Sequence, residues 1–149
     1  MENKIDILVF SREGIGNFIT DRPYLLISIK DPGSEVVELQ DNPNKIAQLD
    51  LEFSDFDVDK CPGILNSKIK VFTKEDAQSI ITVLRLTEKY INLIVVHCEA
   101  GLSRSPGIAA ALSNMLGYGD QFYFKHYLPN KYVYRTLLNI AMDSRPIGE

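Results

Sequence analysis

Residues 93–97, Leu-Ile-Val-Val-His, constrain the fold more than any other stretch. They are apolar up to the histidine and rich in β-branched side chains, which predicts a short strand buried on both faces. Such strands sit in the middle of parallel sheets. Parallel neighbours need crossover connections, and helices usually supply them. Other segments fit that demand. Residues 5–10 (IDILVF) and 24–29 (YLLISI) read as two more strands, the second entered from Pro23 and left through the turn residues 31–34 (DPGS). Leu49, Leu51 and Phe53 alternate with Asp50, Glu52 and Ser54, a period of two that predicts a strand with one face inward.

Helices are expected between and after the strands. Thr73 is placed as an N-cap, with Glu75 and Asp76 in the first turn where the helix dipole favours them. Ala77, Ile80, Ile81, Leu84 and Thr87 then trace one helical face. A second helix is predicted over 105–116 (SPGIAAALSNML), with proline in its first turn and Gly117 as its stop. A third is predicted over 134–143 (YRTLLNIAMD). The aromatic-rich residues 119–133 show no period that assigns them. The expected class is α/β: a central, mostly parallel sheet of about four strands flanked by helices.

Composition narrows the function. A chain of 149 residues, 45% hydrophobic, suits one domain over 1–149 with a full core. Twenty acidic against 16 basic residues leave a net charge of -4, which argues against a non-specific nucleic-acid binder. Two cysteines, Cys61 and Cys98, are no disulfide scaffold. The N-terminal apolar run is short and broken by Asp6, unlike a secretory signal, and no apolar run approaches a membrane span. These features lead to the expectation of a soluble, cytoplasmic monomer with neither a nucleic-acid nor a membrane partner.

The buried strand runs straight into Cys98-Glu99-Ala100-Gly101-Leu102-Ser103-Arg104, and a helix opens behind it. Ligands of open α/β sheets bind beyond the carboxyl ends of strands. A helix N-terminus presents unpaired N–H groups to an anion, and a loop curled over it makes a nest of further N–H groups. Gly101 permits angles that other residues resist. Arg104 adds a fork able to grip two oxygens of one phosphate. The same surroundings favour the thiolate of Cys98, which then faces the anion's central atom. That combination predicts covalent catalysis through a phosphocysteine.

His97-Cys98-x5-Arg104-Ser105, with a central Gly101, resembles the signature of the cysteine-dependent protein tyrosine and dual-specificity phosphatases. Its place two-thirds along a short chain resembles the compact dual-specificity type and its bacterial or phage relatives. Similarity spans about residues 47 to 116. The resemblance implies a phosphatase fold and a phosphate, sulfate or vanadate ion held on the 99–104 amides. It further implies a Ser105 hydroxyl that helps the sulfur leave and a His97 that orders the loop. It also implies a general acid on a loop after the strand preceding the signature unit, within residues 51–60 (LEFSDFDVDK). Continuing the alternation of Leu49, Leu51 and Phe53 selects Asp55. Asp57 is the second choice and Asp59 the third.

Several residues have plainer readings. Ser105 can be a simple N-cap. Glu99 is expected to turn outward or to pair with a basic group, because an inward carboxylate would oppose a phosphate. Asn130, Lys131, Tyr132, Tyr134 and Arg135 can form a substrate rim or merely a surface turn. Cys61 can be a resolving thiol or incidental, and His126 has no partner legible in sequence. Two histidines and two cysteines lack metal-ligand spacing, so no metal and no cofactor are expected. No Walker motif occurs, and residues 12–18 (REGIGNF) are a weak dinucleotide loop. The expected activity is hydrolysis of phosphomonoesters on a phosphorylated protein or peptide. The alternatives are the same chemistry on a phosphoinositide or an RNA 5′-phosphate, and a phosphate-binding pseudophosphatase.

Overall fold

A computed structural model describes residues 4–60 and 68–143. Among them, four strands form one sheet: β1 (Asp6–Phe10), β2 (Tyr24–Lys30), β3 (Lys45–Glu52) and β4 (Leu93–His97). Their order is β1-β4-β2-β3, and every pairing is parallel. The expectation of a mostly parallel sheet thus becomes an all-parallel one. β4 lies between β1 and β2, with all five residues buried, as a continuously apolar strand requires.

Five helices join the strands among the described residues: α1 (Arg12–Ile15), α2 (Lys74–Thr87), α3 (Arg104–Met115), α4 (Gln121–His126) and α5 (Lys131–Asp143). The side chains divide the sheet's surroundings in two. Leu25, Ile27 and Ile29 of β2 and Ile94 and Val96 of β4 pack with α2, α3 and α5. Tyr24, Leu26, Leu93 and Val95 point the other way, against Ile15, Phe18, Val37 and Leu39. The larger core thus lies on the three-helix side.

α2 buries the five residues its period predicts. Thr73 caps it reciprocally: its hydroxyl accepts from Asp76 N while the Asp76 carboxylate accepts from Thr73 N, both at 3.0 Å. α3 is buried along ten consecutive residues and stops where Gly117 takes a φ of 87°. α5 begins at Lys131, three residues earlier than its apolar period indicates, because the Asn130 carboxamide accepts from Val133 N at 3.1 Å and caps it. α1 was not expected; Ser11 caps it through Gly14 N. α4 fills part of the aromatic stretch, burying Tyr123 against Ala109 and Ala110 of α3.

The sheet ends in β1 and β3, and β1 is covered on its outer side by tyrosines. Tyr118 Oη accepts from Ile5 N at 3.1 Å, and Tyr123 Oη donates to Ile7 O at 3.2 Å. Among the described residues, no helix is long and apolar enough to cross a membrane.

Candidate active site

The 98–104 loop leaves the carboxyl end of β4 and turns directly into α3. Two neighbouring segments hold it in place. Cys98 N donates to Phe10 O at 3.3 Å, and Arg12 N donates to Glu99 O at 3.0 Å, so the end of β1 binds the start of the loop. Leu128 N donates to Leu102 O and Asn130 N to Ser103 O, so the approach to α5 binds its end. Gly101 sits between them with a φ of 72°. A Cβ there would fall 2.9 Å from Ser11 N and 3.0 Å from Phe10 C, so glycine is required by space as well as by angle.

The loop closes around the thiol. Cys98 is 2% exposed. Gly101 N–H points at its sulfur from 3.3 Å and Ser105 N–H from 3.5 Å. Ser105 Oγ lies 3.0 Å from the same sulfur. Ser105 is therefore not the N-cap: Ser103 occupies that position, without a side-chain cap bond, and Ser105 lies two residues further on, within the first turn and fully buried. Its hydroxyl is spent on the cysteine. Glu99 is exposed, and so are Ala100 and Leu102.

Arg104 is buried, and one of its nitrogens is fully engaged. Nη1 donates to Phe53 O at 2.8 Å and to Asp31 Oδ1 at 2.7 Å. Nε and Nη2 have no protein partner among the described residues. Nor does Arg104 appear among the side chains whose polar atoms are shut from solvent unpaired; among the described residues only His97 Nδ1 is. The Nε–Nη2 edge is thus open, and that edge can meet two oxygens of a tetrahedral anion. Asp31 was read from sequence only as a turn residue; nothing local marks it as the arginine's anchor.

His97 closes the strand. Its Nε2 lies 2.6 Å from Ser28 Oγ, a residue directly beside it in the β2–β4 register. Burial lowers its pKa to about 4, so the ring is neutral at physiological pH. That excludes a charged imidazolium beside the cysteine.

The three candidate carboxylates separate cleanly. Asp55 reaches the loop: its Oδ1 accepts from Ser103 Oγ at 2.8 Å and from Asn130 Nδ2 at 3.0 Å. Asp57 folds back on its own turn, accepting from Asp59 N at 3.0 Å. Asp59 pairs with Arg135. A cavity of about 270 Å³ opens between Asp55, Asp57, Lys60, Ser103, Leu128 and Asn130. Of the supposed rim, Asn130 is buried and structural, and Lys131, Tyr132, Tyr134 and Arg135 belong to the first turns of α5. His126 packs on the Phe122 ring. Cys61 lies outside the described residues.

The arrangement brings together a buried sulfur, converging N–H groups, an arginine edge and a carboxylate on a neighbouring loop. It can hold a tetrahedral oxyanion and attack its centre. No protein-family model matches the chain, and no curated protein matches it.

Proposed function

We propose that the chain is a cysteine-dependent phosphomonoester hydrolase of the protein tyrosine or dual-specificity type, acting on a phosphorylated protein or peptide. One observation carries this reading: the N–H groups of Gly101 and Ser105 converge on Cys98 Sγ, with the open edge of Arg104 on the same loop.

The Cys98 thiolate attacks phosphorus, and the bond from phosphorus to the leaving oxygen breaks. Asp55, protonated, gives that oxygen its proton. Arg104 and the loop amides hold the equatorial oxygens as charge spreads over them. Asp55, now a carboxylate, takes a proton from water as it attacks the phosphocysteine. The S–P bond breaks, the Ser105 hydroxyl donates to the departing thiolate, and inorganic phosphate leaves. No metal or cofactor enters these steps. All the groups come from one chain, so a monomer suffices, and a thiolate nucleophile suits the reducing cytoplasm.

Hydrolysis of p-nitrophenyl phosphate without added metal tests the reading. Wild type should turn over, Cys98→Ser should abolish turnover, and Asp55→Asn should cost roughly 10²-fold or more. Turnover unchanged in Cys98→Ser overturns it. Wild type that binds vanadate without turnover is a phosphate-binding protein instead.

A further inference from the structure

The loop that carries Asp55 has no regular secondary structure of its own between the end of β3 and residue 60. Something else must fix the carboxylate. Two groups reach it, and both bond the same oxygen: Ser103 Oγ and Asn130 Nδ2 on Oδ1. Oδ2 has no protein partner among the described residues and is left to carry a proton.

Asn130 is the more committed of the two. It is 7% exposed, and each of its polar groups is used. The carboxamide oxygen caps α5 through Val133 N. The amide nitrogen donates to Asp55 Oδ1 and, at 3.2 Å, to Phe56 O. Its main chain bonds Ser103 O and Tyr134 N. These partners also settle which end of the amide is which, since only the nitrogen can donate. One side chain thus ties the start of α5, the carboxylate loop and the anion loop together. Gly107 of α3 makes the approach possible: a Cβ there would lie 2.9 Å from Asn130 O.

We infer that Asn130 is a positioning residue that aims the Asp55 carboxyl at the leaving oxygen. The inference rests on the phosphatase reading above. It predicts a selective defect. Leaving groups that depart unaided need no proton, whereas poor ones do. Loss of the Asn130 amide should therefore slow phosphocysteine formation only from the latter.

The test compares phenyl phosphate with 2,4-dinitrophenyl phosphate. Serine and aspartate both cap helices well, so Asn130→Ser and Asn130→Asp keep α5 capped while removing the amide donor. In both variants kcat/KM, which reports formation of the phosphocysteine, should fall about tenfold or more on phenyl phosphate and stay within about twofold on dinitrophenyl phosphate. Asp55→Asn should show the same discrimination, and adding Asn130→Ser to it should cost little more. Equal losses of kcat/KM on both substrates, or none on either, with Cys98-dependent turnover intact, overturn the inference alone. Wild type without Cys98-dependent turnover overturns the phosphatase reading, and the inference with it.

Discussion

At His97 one ring nitrogen meets the Ser28 hydroxyl, and the other is buried without a well-formed hydrogen bond among the described residues. The ring is held neutral, with a pKa of about 4 where an exposed histidine has about 6.5. Between those values the unfolded chain binds a proton that the folded chain refuses. His97 therefore contributes stability above about pH 6.5 that is lost as the pH falls towards 4, on the order of 3 kcal/mol in all. Urea midpoints measured from pH 8 to pH 4 should fall more steeply for wild type than for His97→Asn, which has nothing to titrate. Parallel profiles would contradict the burial account. At this scale the anion loop was legible in sequence, because Cys98, Gly101, Arg104 and Ser105 are neighbours along the chain. Asp31 and Ser28 were not, and Asn130 was read only as part of a candidate rim, because each meets Arg104, His97 or Ser103 from a distant segment.

Among the elements, α2 is the one whose sequence says most. Its cap, its first-turn acids and its buried face all lie within one local window. Thr73→Ala removes one half of the capping box and leaves Asp76 N unpaired. The expected cost is about 1 kcal/mol, a fall of roughly 3 °C in the melting temperature, read by calorimetry. A loss within error would mean that water replaces the cap. The start of α5 was misjudged for the opposite reason. Its first turn carries Lys131 and Tyr132, which interrupt the apolar period, and its true start is set by Asn130. α4 escaped notice because only Tyr123 of its six residues is buried, so it shows no apolar stripe.

At the scale of the whole molecule, tyrosines close the outer side of the edge strand β1. Burial pushes the Tyr123 hydroxyl up to about 12, so it stays a donor to Ile7 O at any ordinary pH. An uncovered sheet edge is a template for pairing with another chain. Tyr123→Phe should leave that carbonyl free and produce concentration-dependent association in sedimentation velocity, while wild type sediments independently of concentration. Association absent in the variant would show that the exposed Phe122 and Leu8 side chains already block the edge.

The sequence by itself determined the parallel α/β class, the placement of β4 at the sheet's centre and the loop from Cys98 to Arg104 at its end. Each of these follows from side-chain period or from backbone chemistry within a dozen residues. Only the tertiary structure decided the strand order, the Asp31 anchor on Arg104 and the meeting of Asp55 with Ser103 and Asn130. Those contacts join residues 48 to 75 positions apart, and no local period records which distant polar group will fill a buried hydrogen bond.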